Sequence, residues 1–456
     1  MMLSFAIFAV LTTVGSAVVC RLRDGVCVCD STHCDTIPSY EGYNLTEGVV
    51  YTSSKSGDRF QLTQLPKLSI HPENSQFVTL LVNPQITYQE IKGFGGAFTD
   101  AAGINLASLP AKAQDYLVNS YYAKNESGIG YTFGRIPMAS CDFSTREYSY
   151  DDVEGDFSLN HFALADEDTK YKVRFIQAYS QHNISIWGLT PQNEPGTGFV
   201  YNYSFQTCGF TAEMERDFLV SDLGPALKSA NFANVSIMIL DDQRPKIPFW
   251  ADTIFGNLSS SPLVAGIGVH WYMDFFTPPQ ALDYAAEKYP NKFILITEAC
   301  TGAGTDPIWE KRGPMLGFWD RAEHYAHDII QNLNHWAAGF VDWNLALDLE
   351  GGPNWVQNFV DSPILVNASA GEFYKQPMYY AMGHLSKFLL PGSRRISSSS
   401  DSNLEQVAVI REDGSKAVVI LNRNYAARNL NVTDVSTKQQ YYVSLKPHSI
   451  STLLWK

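Results

Sequence analysis

Basic residues are scarce in this chain. Its 456 residues include 33 lysines and arginines against 47 aspartates and glutamates, so the formal net charge is -14 at pH 7 and the pI is near 5.1. A surface that binds nucleic acid needs clustered cations, and so does simple electrostatic adhesion to an anionic membrane at neutral pH. The charge balance therefore argues against both classes of partner.

The chain also lacks an apolar run of the about 20 residues that span a bilayer. The nearest candidate is the mainly apolar stretch 3–11, which is followed by the small residues Gly15, Ser16 and Ala17. This layout predicts a secretory signal over residues 1–17, although the basic residues that usually precede such a run are missing. A membrane anchor is the alternative, and no transmembrane segment is expected elsewhere.

Cysteine is rare outside one short segment. Four of the seven cysteines fall within a span of fifteen residues close to the predicted mature start: Cys20, Cys27, Cys29 and Cys34. In an exported chain this clustering predicts two disulfides, with three possible pairings, and export disfavours the alternative of a zinc site. The remaining cysteines are predicted to be free thiols: Cys141, Cys208 and Cys300.

Sequons for N-glycosylation are frequent, as in a glycoprotein of the secretory pathway. An eighth sequon, at Asn183, adjoins a predicted strand and is set aside. The candidate glycan sites are Asn44, Asn125, Asn202, Asn234, Asn257, Asn367 and Asn431.

No internal repeat is present, and the only low-complexity tract is the serine run 397–400. Both ends of the chain show β-type segments separated by turn residues, over residues 48–83 and 404–454. Residues 407–411 and 416–421 flank Glu412, Asp413 and Gly414, which is a hairpin signal. We predict that the two ends form one β-sandwich.

Between these ends, strand patterns alternate with helix patterns. Helices are predicted over residues 111–122, 169–182, 211–230 and 320–336, the last with a capping-box-like start at Asp320 and Glu323. Such alternation over this length predicts an α/β fold of the (β/α)8 TIM-barrel type. The predicted domains are a signal (1–17), a disulfide-stapled segment (18–42) that packs with residues 345–375, a β-sandwich (43–90 with 390–456), and a catalytic barrel (91–389).

Two glutamates stand where buried strands are predicted to end. Residues 184–195 begin as an alternating apolar run that predicts a buried strand: Ile184, Ile186 and Leu189. This strand leads to Asn193 and Glu194, and a second apolar strand within residues 293–300 ends at Glu298. Each glutamate alone could be a salt-bridged turn residue. Active sites of such barrels, however, collect at the C-terminal ends of strands.

The pair therefore predicts a retaining glycosidase. In this reaction one glutamic acid stays protonated and donates its proton to the leaving oxygen. The other glutamate is ionised and attacks the anomeric carbon from the opposite face. This chemistry requires the two carboxyl groups to lie about 5 to 5.5 Å apart.

The remaining strand ends carry long motifs that resemble one family. They are KGFGGAFTD (92–100), GRIPMASCDF (134–143), TPQNEP (190–195), LDDQR (240–244), VHWYMDF (269–275), ITEAC (296–300) and VDWNLAL (341–347), with EGGPNWVQNFVDSPI (350–364) and FYKQPMYY (373–380) beyond them. Together they resemble the glucosylceramidases of glycoside hydrolase family 30, from the cysteine-rich start to the final strands.

The resemblance implies roles for individual residues. Glu194 matches the general acid/base and Glu298 the nucleophile, while Asn193 would bind the sugar 2-hydroxyl. Asp142 would accept hydrogen bonds from outer glucose hydroxyls, and Trp343 would pack against a sugar edge. Tyr272 would restrain the nucleophile, with supporting or mouth-lining positions at Arg135, His270, Asn358 and Tyr203. Taken singly, Arg135 and His270 are also explained by charge balance.

The resemblance also implies a substrate and a location. The reaction would be hydrolysis of glucosylceramide to glucose and ceramide at a membrane surface, without a metal or cofactor. A saposin-type activator and anionic lipids would assist it, in the lumen of the lysosome, with secretion as the alternative. Nucleic acid is not an expected partner.

One departure from the family pattern concerns the barrel. The chain runs from residues 141–143, through an acidic loop and the single predicted helix 169–182, directly into the strand that carries Glu194. The family has another strand and helix here, with a Pro-Trp-Ser-like motif that this sequence lacks. We therefore count seven barrel strands, with a deletion of at least the ~30 residues that such a unit needs.

The missing unit leaves three hypotheses open. The first is an active β-glucosidase that acts on glucosylceramide. The second is a catalytically impaired form that binds glycolipid as a glycoprotein, because losing a strand leaves unpaired edges or forces a smaller barrel. The third is a related β-glycosidase such as a xylosidase, since the barrel alone does not determine the sugar.

Overall fold

The computed structural model describes residues 18–65, 77–172, 186–304 and 311–456. The predicted signal 1–17, the sequon at Asn183, Ile184 and most of the predicted helix 169–182 lie outside these ranges. Three β-sheets make up most of the described structure: a seven-stranded parallel sheet, a nine-stranded sheet and a five-stranded sheet.

The strands are β1 (Leu22–Arg23), β2 (Val26–Cys29), β3 (Val49–Ser54), β4 (Gln61–Gln64), β5 (Val78–Glu90), β6 (Gly93–Ala97), β7 (Phe133–Arg135), β8 (Gly188–Leu189), β9 (Ser236–Gln243), β10 (Gly266–His270), β11 (Phe293–Glu298), β12 (Ala337–Asn344), β13 (Leu347–Asp348), β14 (Ile364–Asn367), β15 (Glu372–Lys375), β16 (Arg394–Ser400), β17 (Glu405–Ile410), β18 (Lys416–Asn422), β19 (Arg428–Asp434), β20 (Gln440–Leu445) and β21 (Ser449–Trp455). The α-helices are α1 (Asp100–Ala107), α2 (Ala111–Tyr122), α3 (Ala212–Phe218), α4 (Gly224–Ser229), α5 (Ile247–Phe255), α6 (Gln280–Lys288), α7 (Trp319–Asn334) and α8 (Pro377–Ser386).

The seven-stranded sheet is the barrel predicted from the sequence. Its order is β7-β6-β12-β11-β10-β9-β8, and all neighbours in it run parallel. Strands β6 and β12 are completely buried, as expected for strands with helices on one face and the barrel interior on the other. For the part of the chain that the structure describes, the count of seven strands is confirmed.

The two end strands of this sheet, β7 and β8, border the position of the missing unit, and we call the gap between them the seam. Across it, the rings of Phe133 and Trp187 stack with their centroids 5.2 Å apart. Side chains therefore bridge the seam where the described structure has no backbone ladder between β7 and β8.

The prediction of a long buried strand before Glu194 is wrong in its described part. Only Gly188–Leu189 is a strand, and Ile186 is 75% exposed. The reason is that, among the described residues, β8 pairs with β9 alone and has no strand on its other side. An apolar alternation that would be buried in a complete barrel therefore reaches solvent at this edge.

The nine-stranded sheet joins both ends of the chain. Its order is β20-β19-β5-β16-β17-β18-β21-β3-β4, and it encloses a core that includes Leu80, Val418, Tyr441 and Trp455. The predicted hairpin is confirmed, since β17 and β18 pair antiparallel from Ile410 and Lys416 onwards. The sandwich predicted from the two chain ends is thus present.

The cysteine-rich segment forms part of the five-stranded sheet, order β1-β2-β15-β14-β13. Two disulfides join Cys20 to Cys27 and Cys29 to Cys34, which settles the pairing that the sequence left open. Cys141, Cys208 and Cys300 are free, as predicted.

The helices predicted over residues 111–122, 211–230 and 320–336 were correct in place and less accurate in detail. The helix over residues 111–122 matches α2, whereas the helix predicted over 211–230 contains a π-helical turn between α3 and α4. The capping-box prediction for α7 is wrong, because the helix begins one residue earlier and has no side-chain cap. Glu323 instead accepts hydrogen bonds from Trp319 and His448.

Candidate glycan sites differ in exposure. Asn44, Asn125, Asn202 and Asn234 are exposed, and the other three in the described residues are partly buried: Asn257, Asn367 and Asn431. Within the part of the chain that the structure describes, no helix has the length and apolar character needed to cross a membrane.

Candidate active site

Glu194 lies five residues beyond the end of the edge strand β8. Its backbone has φ of 42°, in the left-handed region that non-glycine residues rarely adopt, and it precedes a short 3-10 helix, Pro195–Phe199. The backbone N–H of Glu194 donates to the carbonyl of Asp241 on the neighbouring strand β9, at 2.9 Å. This strained turn directs the carboxyl group towards the end of the barrel, as in other sites where strain is maintained by the surroundings.

Glu298 ends strand β11, three strands further around the barrel. Its side chain is buried, and its Oε1 accepts a hydrogen bond of 3.0 Å from the Tyr272 hydroxyl. Arg135, at the end of β7, donates to the other oxygen, Oε2. Both carboxylate oxygens are therefore occupied by donors, which holds the group in one orientation.

The two glutamates face each other. Carboxylate oxygens of Glu194 and Glu298 and a ring nitrogen of His270 all lie within 4.8 Å of one another. His270 Nδ1 is 2.9 Å from Glu194 Oε1 and 3.9 Å from Glu298 Oε1. This spacing agrees with the about 5 to 5.5 Å that separates carboxyl groups in retaining glycosidases.

Two buried cations balance the carboxylates at this site. Burial disfavours ionisation of Asp241, but the charges of Arg135 and His270 outweigh it and hold the pKa of Asp241 well below its usual range. Burial likewise opposes the charge of His270, yet Glu298 and Asp241 raise the pKa of His270 to about 10. His270 is therefore an imidazolium that donates to Glu194 and to Asp241 at acidic and neutral pH.

The environment of Glu194 favours its protonated form. Burial raises its pKa, and the His270 cation offsets only part of that effect. Gln243 also donates to Glu194 Oε1, at 2.8 Å. A carboxyl group with a raised pKa can keep its proton at a pH where an exposed glutamate loses it.

A second group of polar side chains surrounds Asp142. Asn358 and Asn354 donate to Asp142 Oδ2 at 3.1 and 3.4 Å, and burial raises the pKa of Asp142 to about 7. Trp343 packs in an apolar cluster with Phe143, the chain neighbour of Asp142, and the Arg135 guanidinium lies 5.1 Å from the Trp343 ring centroid. A carboxyl group beside an aromatic plate is the arrangement expected of a sugar pocket.

Asn193 and Tyr203 are the least enclosed of the predicted site residues. Asn193 is exposed, and its Oδ1 accepts a hydrogen bond of 2.7 Å from Arg135. Tyr203 is half-buried, and burial together with the charges of Glu194 and Asp142 raises the pKa of its hydroxyl. The structure thus gathers all ten predicted catalytic, binding and supporting residues at one end of the barrel.

Sequence reasoning missed Asp241, Gln243 and Asn354. The first two lie in the strand-end motif of residues 240–244, which marked the position without suggesting a role. Asp241 is fully buried and contacts Arg135, His270 and Thr297. Its position at a strand end beside a second aspartate was the only available signal.

The trio of Glu194, His270 and Glu298 consists of residue types that can also ligate a metal. Here each carboxylate already accepts side-chain hydrogen bonds, and the imidazolium has no lone pair to offer. The donor set therefore fits acid/base and nucleophilic chemistry better than metal binding. The expected absence of a cofactor stays a prediction.

Several known proteins resemble this chain over most of its length. Putative glucosylceramidase 3 of Caenorhabditis elegans is 42% identical over 489 residues, covering 94% of this chain and 92% of that protein. Lysosomal acid glucosylceramidase of Mus musculus is 38% identical, covering 94% and 93%. Among solved structures, SrfJ of Salmonella typhimurium has a TM-score of 0.78 at 25% identity and covers 90% of this chain and 99% of its own.

The comparisons also locate an interruption in the barrel. The glycosyl hydrolase family 30 TIM-barrel domain matches residues 91–178 and 169–389, and the family's beta sandwich domain matches residues 392–453. The two barrel matches overlap at residues 169–178. The 489 positions aligned with the worm protein include only 94% of the 456 residues, so about 60 positions of that protein face no residue here. On these matches, the chain belongs to glycosyl hydrolase family 30.

Proposed function

We propose that this protein is a retaining β-glucosidase that hydrolyses glucosylceramide to glucose and ceramide. The observation that carries the proposal is the pair Glu194 and Glu298, whose carboxylate oxygens lie within 4.8 Å at the ends of two barrel strands. Their surroundings differ in the way that the two roles require: burial raises the pKa of Glu194, while two donors hold Glu298.

In the first step, Glu298 attacks the anomeric carbon and forms a covalent glycosyl ester. The bond from that carbon to the leaving oxygen breaks, and the Glu194 carboxyl group gives its proton to this oxygen. Tyr272 and Arg135 keep the attacking oxygen of Glu298 in line during this step. The departing alcohol is neutral, so no charged leaving group has to be stabilised.

In the second step, Glu194 acts as a base. It removes a proton from a water molecule, whose oxygen attacks the anomeric carbon and breaks the ester bond to Glu298. Glu194 recovers its proton, Glu298 recovers its charge, and the sugar leaves with its original anomeric configuration. The His270 cation beside Glu194 assists, because it stabilises the carboxylate between the two steps.

The lipid substrate is supported by two kinds of observation. Relatives from worm and mouse carry glucosylceramidase names, and the mouse protein is called lysosomal and acid. Exposed apolar residues also adjoin site residues in the chain: Met273, Phe275 and Phe276 follow Tyr272, and Phe359 follows Asn358. We extend the proposal to an acidic, lysosomal setting, with anionic lipid and a saposin-type activator as partners.

The interrupted barrel favours a second candidate, a catalytically impaired form that binds glycolipid. Glu194 follows β8, which within the described ranges pairs with a neighbouring strand on one side only. Looser support on this side could displace the acid/base while the pocket around Asp142 still binds sugar.

Covalent labelling tests the proposal. Folded protein is incubated at acidic pH with a 2-fluoroglucoside or a cyclitol epoxide, and its peptides are then mapped. We expect label on the peptide that contains Glu298, and none in Glu298→Gln. Turnover of aryl glucosides faster than aryl xylosides would distinguish a glucosidase from a xylosidase. Folded protein that binds a glucoside and takes no label would instead support the impaired form.

A further inference from the structure

A second buried charged group lies beside the sugar pocket, outside the catalytic centre. We call it the Lys172 cluster, and it consists of Asp100, Tyr148, Asp168 and Lys172. All four residues are at least 95% buried, and Lys172 itself is 2% exposed. A lysine is almost never buried to this extent unless it is paired.

The Lys172 ammonium is fully engaged. Its Nζ donates to the carbonyl of Ala139 at 2.8 Å and to the Tyr148 hydroxyl at 3.0 Å. It also pairs with Asp168 at 3.3 Å and with Asp100 at 3.4 Å. Two carboxylates and two neutral oxygens thus surround one cation, so its removal would leave two buried aspartates without a counter-charge.

The cluster supports the loop that carries Asp142. Asp100 Oδ2 accepts hydrogen bonds from Ser144 Oγ at 2.6 Å and from Tyr148 at 2.9 Å. Ser144 Oγ in turn accepts from the backbone N–H of Cys141 at 3.1 Å. The cluster therefore holds the backbone on both sides of Asp142, the predicted acceptor for sugar hydroxyls.

Backbone strain in this loop points to the same role. Ala139 has φ of 61°, in the left-handed region, and its carbonyl is the group that Lys172 Nζ contacts most closely. A non-glycine residue stays in that region only where its surroundings enforce it. Lys172 supplies such a constraint at Ala139, which lies three residues before Asp142.

We propose that Lys172 is a positioning residue for the sugar pocket. Through Ala139, Asp100 and Tyr148 it fixes the loop so that the Asp142 carboxyl group meets the outer hydroxyls of the glycone. This inference rests on the proposed glucosidase function and goes beyond it, because it assigns glycone recognition to a lysine that does not contact the sugar.

The interruption of the barrel gives the assignment added weight. Lys172 lies within residues 169–178, where the two family matches overlap. Asp168 and Lys172 form a single π-helical turn that packs on α1, the helix that begins at Asp100. The shortened chain thus retains the side chains that support the Asp142 loop.

The test compares Lys172→Met with a matched control, Lys170→Met. Lys170 lies in the same turn, but its side chain is 60% exposed and pairs with Asp166 at the surface. For Lys172→Met we expect KM for an aryl β-glucoside to rise by at least about tenfold, with a smaller change in kcat, since a small misplacement of a binding group can cost up to ~100-fold. Lys170→Met should match the wild type, and Lys172→Arg should recover part of the affinity.

A second measurement separates positioning from general destabilisation. Removing the 4- or 6-hydroxyl of the glucoside should weaken wild-type binding strongly and Lys172→Met binding much less, because Asp142 is already displaced in the variant. Ser144→Ala, which removes only one hydroxyl, should shift KM in the same direction by a smaller factor. If Lys172→Met is too unstable to assay, Ser144→Ala decides the question.

Binding of the iminosugar deoxynojirimycin, measured by calorimetry, gives the same comparison without turnover. An unlabelled, inactive wild type would overturn the proposed function and leave this binding test in place. An unchanged KM and an unchanged iminosugar affinity in folded Lys172→Met would overturn the role of Lys172 alone.

Discussion

At the scale of single residues, Glu194 and Glu298 are the same amino acid in two different environments. Glu194 contacts the His270 imidazolium and the Gln243 amide and has a pKa raised by burial. Glu298 contacts the Arg135 guanidinium and the Tyr272 hydroxyl. This asymmetry supports the proposed roles, with Glu194 as the proton donor and Glu298 as the attacking group, because environment separates the roles of other carboxylate pairs in the same way.

Replacing Glu194 with Gln tests the assignment. Gln cannot donate a proton, so turnover of an alkyl or lipid glucoside, whose leaving group needs that proton, should fall by about 10²–10⁴-fold. Release of dinitrophenol from its activated glucoside should persist as a burst, because this leaving group needs no proton. Glu298→Gln is the control and should abolish both reactions. Equal losses for both substrates in Glu194→Gln would contradict the acid role.

Replacing His270 with Gln tests how the charge of His270 affects the pKa of Glu194. The His270 cation lowers the pKa of Glu194, against the larger effect of burial. With a neutral side chain at position 270, the pKa of Glu194 should rise further. The basic limb of the kcat/KM profile should then move to higher pH. Gln243→Glu, which adds a negative charge next to Glu194, should also move this limb to higher pH. If the basic limb of the profile stays at the same pH in both variants, it reports the ionisation of a group other than Glu194.

The sequence predicted this pair of glutamates because each ends an apolar segment, and it placed Arg135, Tyr272 and Asp142 nearby through longer motifs. It could not predict the position of Asp241, which contacts Arg135 and His270 from a third strand. Such a contact depends on the order of strands around the barrel and on side-chain directions. Neither is encoded in a local pattern.

At the scale of elements, the seam between β7 and β8 is the unusual feature. The count of seven strands could be predicted from the resemblance to the family, because the sequence lacks the motif of one strand-helix unit. How the seam is bridged could not be predicted, since Phe133 and Trp187 meet only after the sheet has curved. The exposure of Ile186 follows from the same geometry, because its position in a complete barrel would be covered.

The contact of Phe133 with Trp187 should contribute to closing this seam. We expect a double-mutant cycle with Phe133→Ala and Trp187→Ala, measured by chemical denaturation, to give a coupling energy of about 0.5–1.5 kcal/mol, the range for stacked aromatic pairs. Both single variants should also lower kcat, because β7 ends at Arg135 and β8 leads into Glu194. Additive effects on stability would show that the rings do not interact across the seam.

At the scale of the whole molecule, the charge distribution suits an acidic environment. Several carboxyl groups are deeply buried, and burial raises their pKa values: Asp342 to about 8, Glu215 to about 7 and Asp142 to about 7. The pKa of His270 is raised to about 10 by Glu298 and Asp241 despite its burial. In each case the folded state holds a proton more tightly than an unfolded chain does.

These raised pKa values determine the direction in which the stability of the fold changes with pH. A carboxyl group with a raised pKa contributes full stability below its unfolded value of about 4, and loses it as pH rises towards the folded value. For Asp342 that window extends to about pH 8, and for His270 the loss runs from about pH 6.5 to about pH 10. The protein should therefore be several degrees more stable to heat at pH 5 than at pH 8.

Asp342→Asn should reduce this difference. The amide oxygen can still accept the hydrogen bond from Tyr325, which is 2.8 Å in the native protein, but the side chain no longer has a proton to lose. The Tm measured at pH 8 should approach that at pH 5, whereas Asp115→Asn, at a surface position whose side chain is 65% exposed, should leave the difference unchanged. A native protein that is equally stable at both pH values would show that these buried carboxyl groups ionise without penalty, contrary to the burial that the structure gives them.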